Sequence, residues 1–362
     1  MTDFMTKNKE KLEQFAAMSQ AAGSRSDYVQ GGGGNTSVKL ADGLMAIKAS
    51  GYCLSDIRPD KAYAVLDYEA LRRFYYGNEP AQLADVEKLG SACAKENTKL
   101  IEGVDALRPS VEAGFHSILK TFVCHTHSVY ANLAACSAAC CEIAEKAFNG
   151  ADYTWGWVPY TDPGANLTFA IRDELRRVGE KTGKVPSVIL MQNHGIIVHD
   201  DDAERCLAIH ADANERLAQQ FGIHGDSFPA ISVRQTGEEL YEADTPYLRE
   251  ALKNCRYDYK TFIETPLYPD QMVFLIGTFF MDKEGTPAEG ECYADTKTGA
   301  LVLHMGEKKA KTITETLTAV IFIMDTITKM GYTVSTMGEA AKSFIANWES
   351  EKYRKSLAGK KG

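Results

Sequence analysis

No stretch of this 362-residue sequence stays apolar long enough to cross a bilayer. The longest runs, MVFLIGTFFM and AVIFIM, stop well short of the roughly 20 residues a spanning helix needs. The opening MTDFMTKNKEKLEQFAAMSQ interleaves charges with its apolar positions and lacks the apolar block of a secretory signal. There is no disulfide framework: nine cysteines at irregular spacing, including the cluster CSAACC, fit reduced thiols in a cytoplasmic protein. Positive charge is in deficit, with 40 Lys and Arg against 49 Asp and Glu and a net charge of −9, which argues against broad nucleic-acid binding. Nucleotide signatures are missing too. The glycines of GGGG are contiguous and precede a strand, unlike a dinucleotide fingerprint, and no Gly-Lys-Ser/Thr follows them as in a P-loop. No internal repeat or low-complexity segment is visible. The remaining composition, 44% hydrophobic and 25% charged, is that of a globular chain long enough for one large domain or two.

The order of periodic segments predicts an α/β fold. Apolar residues at helical spacing (Phe4, Leu12, Phe15, Ala16) predict an amphipathic helix over 5–21. TSVKL and GLMAIKASG, joined by ADG, predict a hairpin. AYAVLDYEALRRFYYG passes from strand to helix with Asp67 as N-cap. SVEAGFHSILK predicts a helix feeding the strand TFVCHTH, and VYANLAACSAACCEIAEKAF a further helix. After the aromatic loop ADYTWGWVPYTDPG come the helix LTFAIRDELRRVGEKTG, a strand SVILMQNHGIIVH and a helix ending at Gly222. Residues 223–257 are polar, turn-rich and weakly periodic, and read as a connection following a first domain over 1–222. A smaller α/β unit follows over 258–362. It has strands at MVFLIGTFF and ALVLHMG, a long helix from about Lys308 to Met330, a last helix from Gly338 to Tyr353 and a solvated tail, RKSLAGKKG.

Histidine is scarce, eight residues in all, yet TFVCHTHSVY places His125 and His127 two apart. Positions i and i+2 of a strand share a face, so the two imidazoles project together. His194 stands in QNHG, where an apolar strand meets a glycine. Three imidazoles with an open position mark a catalytic site for zinc or a similar ion. An isolated His-x-His is more often a hydrogen-bonded surface pair, and a lone His-Gly a turn. In RPSVEAGFH, Glu112 precedes His116 by four residues and shares its helix face. A desolvated carboxylate beside a metal-bound substrate suits proton transfer, although the commoner fate of a carboxylate here is to face a helix macrodipole. His116 reads as a supporting residue and not a ligand. GGGGNTS is either a plain tight turn or an anion site of backbone amides and side-chain donors. IKASG adds Lys48, Ser50 and Gly51 as groups suited to a phosphate, and RPS adds Arg108 and Ser110.

Taken in order, GGGGNTSVK, IKASG, RPSVEAGFH, HTH, VPYTDPG and NHGIIV resemble the class II aldolase/adducin family over about residues 10–222. They are most similar to the rhamnulose-1-phosphate aldolase part of bifunctional aldolase–dehydrogenase proteins. TPLYPDQMVF and NWESEKYRK extend the resemblance weakly into the second unit, and no counterpart of the short-chain dehydrogenase domain is present in the sequence. The resemblance implies a three-layer α/β/α domain, a homo-oligomer (a tetramer) with sites near subunit interfaces, and a sugar phosphate as substrate. It implies that His125, His127 and His194 bind Zn2+ or another divalent ion and that Glu112 is the acid/base. It further implies that Gly34, Asn35, Ser50, Gly51 and Ser110 hold the phosphate, and that Tyr160 and Asp162 line the sugar site, Tyr160 as a second catalytic candidate. Val111 stands where the fuculose-phosphate branch has a second serine, so one phosphate contact is missing. The expected activity is cleavage of a ketose 1-phosphate to dihydroxyacetone phosphate and a hydroxyaldehyde. An epimerase or dehydratase on the same fold is an alternative, against which Glu at 112 leans, as is a non-catalytic adducin-like interaction module, against which the intact histidine set argues.

Overall fold

The computed structural model describes residues 3–347. Eight strands form the first sheet: β1 Asn35–Lys39, β2 Leu44–Lys48, β3 Tyr63–Asp67, β4 Thr98–Lys99, β5 Phe122–Thr126, β6 Trp155–Val158, β7 Val188–Met191 and β8 Gly195–Asp200. Their spatial order is β4-β3-β2-β1-β5-β8-β7-β6, antiparallel except for β6 with β7. The β1–β2 hairpin forms as expected, its turn using left-handed backbone at Asp42 and Gly43 (φ 60° and 69°). Asp67 caps the helix Tyr68–Gly77 by accepting the Ala70 amide at 2.9 Å.

Alternation along the central strands sorts their side chains between two helical layers. Cys124, Val38 and Val198 pack with Leu12 and Phe15 of the helix Lys9–Gly23 and Leu217 of the helix Ala203–Gln219. Val123, Ile189 and Ile197 face the other way, toward Phe115 of the helix Ala113–Ile118 and Phe169 of the helix Ala165–Thr182. The first domain is therefore an α/β/α sandwich, and each fully buried side chain of this size adds roughly 1.5–3 kcal/mol of transfer free energy.

The second sheet corrects the expectation for residues 223–257. That stretch supplies β9 Val233–Gly237, β10 Leu240–Ala243 and the helix Pro246–Lys253. With β11 Phe279–Met281, β12 Cys292–Asp295 and β13 Ala300–His304, the two strands complete a sheet in the order β11-β12-β13-β10-β9. β9 lies at the sheet edge with its three middle residues exposed, so it carries no apolar alternation to read. A helix that Pro269 begins, Pro269–Leu275, runs into the segment MVFLIGTFF expected to be a strand, and β11 starts only at Phe279. The strand expected over SVILMQNHGIIVH is a hairpin, β7 and β8, turning at Gln192–His194 with Asn193 at φ 52°.

The helix expected over VYANLAACSAACCEIAEKAF is broken into Val129–Ala135 and Cys140–Ala147. Residues 333–335 of the second unit bond at the break: Ala138 N–H donates to Thr333 O at 2.9 Å and Ser335 N–H to Cys136 O at 2.7 Å. The long helix is observed at Glu307–Lys329, where buried Thr314 and Thr318 satisfy their hydroxyls on the carbonyls four residues back. Its Ile313, Leu317 and Val320 share one core with Val129 and Leu133, so the two units are continuous in packing. The last helix is seen as Glu339–Asn347. Its expected continuation to residue 353 and the tail 354–362 lie outside the described residues. Among the described residues no helix is long and apolar enough to cross a membrane, and none of the nine cysteines is disulfide-bonded.

Candidate functional site

Antiparallel pairing of β1 with β5 sets Asn35 opposite His125, and pairing of β5 with β8 sets Thr126 opposite Ile196, two residues after His194. The ends of β1, β5 and β8 next to Asn35, His127 and His194 thus converge. Even-numbered Thr126 turns to the opposite face, where its hydroxyl meets His210 Nε2 at 2.7 Å. His125, His127 and His194 face one another with ring centroids 5.0–5.1 Å apart, and a ligand nitrogen of each lies within 4.8 Å of the others.

The proton positions favour a cation among them. His125 Nδ1 donates to the Ile196 carbonyl at 3.0 Å, and burial lowers its pKa to about 4, leaving a neutral ring with its lone pair on Nε2. His127 Nδ1 faces Asp270 Oδ2 at 2.5 Å, which leaves Nε2 as the nitrogen turned toward the other two rings. The two Nε2 atoms stand 3.2 Å apart. Two ring nitrogens this close need a proton or a metal ion between them. This donor set fits a divalent metal with nitrogen ligands.

Glu112 occupies the N-cap position of the helix Ala113–Ile118 but makes no capping bond. The macrodipole favours a carboxylate at this position, but the side chain is turned away from the helix amides toward the histidines. Its Oε2 accepts Asn35 Nδ2 at 2.6 Å and lies 3.6 Å from His125 Nε2, while Oε1, buried and without a hydrogen bond, lies 3.3 Å from His194 Nε2. Asn35 is itself fixed. His116, fully buried and held neutral by desolvation, takes the Ser37 hydroxyl on Nδ1 at 2.7 Å and donates from Nε2 to Asn35 Oδ1. The remaining Asn35 proton goes to Ser110 Oγ at 3.2 Å. His116 is thus a support two bonds removed from the carboxylate, and its spacing from Glu112 serves their common partner Asn35.

The bridge between Ala49 and Pro109, with Ser50 N–H donating to Arg108 O at 2.9 Å, brings IKASG against RPS. Gly34, Asn35, Ser50, Gly51 and Ser110 consequently line one cleft with Glu112, His127 and His194, open to solvent. Gly34, at φ +65°, passes so close to β5 that a Cβ would stand 2.5 Å from His125 O. Lys48 also lines this cleft, and its buried ammonium donates to Tyr52 O at 2.8 Å and Gly32 O at 3.3 Å. Val111 lines it without a hydroxyl.

Tyr160 does not line the cleft. Its ring packs with Met272, Met337, Ala341 and Ile345, its hydroxyl is buried without a geometric partner, and burial pushes its pKa up, with Asp162 next to it also raised by burial. The same loop reaches the cleft through Pro163. Sequence reasoning missed Asp270 and Pro269 of the second unit. One Asp after a proline carries no periodic or spacing signal, and only the fold brings it to a histidine 143 residues away.

The family model for the class II aldolase and adducin N-terminal domain matches residues 13–221. Among solved structures, the chain is similar to the N-terminal class II aldolase domain of a conserved protein from Thermoplasma acidophilum (20% identity, TM-score 0.47, 57% of this chain and 92% of that one). It is also similar to a sugar-phosphate aldolase from Thermotoga maritima (14%, 0.38, 58% and 94%) and an L-fuculose-1-phosphate aldolase from Thermus thermophilus (15%, 0.33, 57% and 91%). At these values the structural likenesses carry no argument of their own. No curated protein matches the chain.

Proposed function

Because the chain belongs to the class II aldolase and adducin family, we propose that it is a divalent-metal-dependent lyase that cleaves a ketose 1-phosphate, rhamnulose 1-phosphate being the first candidate, to dihydroxyacetone phosphate and a hydroxyaldehyde. One observation carries this reading: the buried Glu112 carboxylate stands between three converging imidazoles on one side and Asn35, Ser110 and the glycine-rich turn on the other, within a single cleft.

Each residue then has a part. The backbone at Gly34 and Gly51, the hydroxyls of Ser50 and Ser110 and the Lys48 ammonium bind the phosphate, and that remote binding energy positions the reacting carbons. His125, His127 and His194 would hold the divalent ion, and the chemistry it would supply there is Lewis acidity toward negative charge on the ketose oxygens. Asn35, locked by His116, fixes Glu112 through Oε2. Oε1, which takes no hydrogen bond in the protein, carries the proton. In cleavage the hydroxyl on the far carbon of the breaking bond gives up its proton to solvent as it becomes the aldehyde carbonyl, and Glu112 delivers a proton to the carbon left on the three-carbon fragment; in synthesis both transfers reverse. By the same family reading the protein works as a homo-oligomer, and its unpaired cysteines suit a cytoplasmic setting.

A screen of ketose 1-phosphates with coupled detection of dihydroxyacetone phosphate tests the proposal. Chelator-sensitive release of dihydroxyacetone phosphate from at least one sugar is expected. Metal-loaded protein that releases none from any of them would overturn it, and isomeric product without cleavage would point to an epimerase.

A further inference from the structure

The imidazole of His127 is held from outside its own domain. Asp270, completely buried in the first turn of the helix Pro269–Leu275, accepts the His127 Nδ1 proton at 2.5 Å. The glycine-rich turn lies directly over this bond, for a Cβ at Gly33 would collide with both Asp270 Oδ2 and His127 Nδ1. The second unit grips the surrounding segments as well. Tyr268 OH donates to Gln30 Oε1 at 3.4 Å, Glu315 Oε2 accepts the Gly31 amide at 3.0 Å, and Leu267 O and Ser335 O accept Asn193 Nδ2, beside His194, at 2.9 and 2.8 Å.

We infer that Asp270 is a positioning residue for the three-histidine centre, and that the second unit is a structural component of that centre. The inference rests on the metal reading proposed above. A carboxylate on Nδ1 fixes the tautomer, aims the Nε2 lone pair at His125 and His194, and strengthens the imidazole as a donor.

The test titrates the metal-free full-length chain with Co2+ alone, following the d–d absorption band and the heat of binding. Asp270→Asn keeps the shape and can still accept from Nδ1, and is expected to bind about 10-fold more weakly; Asp270→Ala is expected to lose about 10–100-fold, with an altered band. Gln271→Ala is the structural control. It loosens the same helix by removing bonds to Phe262 O and Leu267 N, both 2.8 Å, but leaves the carboxylate, and is expected to keep wild-type affinity. Should Asp270→Ala not fold, Asp270→Asn against Gln271→Ala decides the question. Wild-type affinity and band in the Asp270 variants, or an equal loss in Gln271→Ala, would overturn the positioning role of Asp270 while leaving the metal centre standing. Failure of the wild type itself to take up Co2+ would instead overturn the metal reading, and the inference with it.

Discussion

Replacing Glu112 with Gln should stabilise the protein and abolish its chemistry, two effects of opposite sign. In the wild type, Oε1 is buried without a hydrogen bond, a condition that costs about 1–3 kcal/mol. In Glu112→Gln the amide oxygen can keep the 2.6 Å bond from Asn35, and the amide nitrogen then stands 3.3 Å from His194 Nε2, near enough to donate. Metal-free Glu112→Gln should therefore unfold at the same temperature as the wild type or a few degrees higher, an upward change of about 1 kcal/mol at most. Turnover should fall by about 10²–10⁴, the usual loss when a general base is removed, equivalent to roughly 3–5 kcal/mol of barrier. The assay that isolates the step is exchange of the dihydroxyacetone phosphate carbinol proton with deuterated solvent, which needs the base but no carbon–carbon cleavage. Near-normal exchange in Glu112→Gln, with normal metal content, would refute the assignment. Lost exchange with a lowered melting temperature would mark Glu112 as structural.

Asn35→Ala breaks the link between the phosphate side and the carboxylate, so KM for the phosphorylated ketose should rise while metal content holds. Equal turnover of the free sugar and its phosphate by the wild type would contradict the phosphate role. Acid should destabilise the metal-free protein through two buried histidines that do not line the cleft. His199 and His210 are buried neutral with pKa values lowered by desolvation to about 3, below the ordinary 6.5, so unfolding takes up a proton at each. Their contribution is complete above pH 6.5 and is lost as pH falls toward 3, at about 3 kcal/mol per pH unit once both unfolded-state sites are protonated. Denaturant midpoints that stay flat between pH 6 and 4 would contradict this.

Local rules made the first domain legible. The β1–β2 hairpin, the Asp67 cap and the shared face of His125 and His127 each depend on neighbours within a few residues. The hairpin of β7 and β8 was hidden because both arms are wholly buried and read as one apolar run, and the QNH turn that sets the place of His194 looked like a strand end. Short apolar runs do not distinguish helix from strand, and Pro269 was the cue that MVFL continues a helix. β10 pairs with β13, which lies some 60 residues further on, and β9 joins the sheet through β10. Asp270 is the sharpest case. Its role depends on a contact spanning 143 residues, and nothing in YPDQ announces it.

Elemental analysis of the full-length chain and of His125→Ala, His127→Ala and His194→Ala tests the account most directly. About one equivalent of a divalent metal per wild-type chain, with severe loss in each variant, is the expected result, since removing any ligand breaks the chelate. Wild-type metal content in all three variants would contradict it.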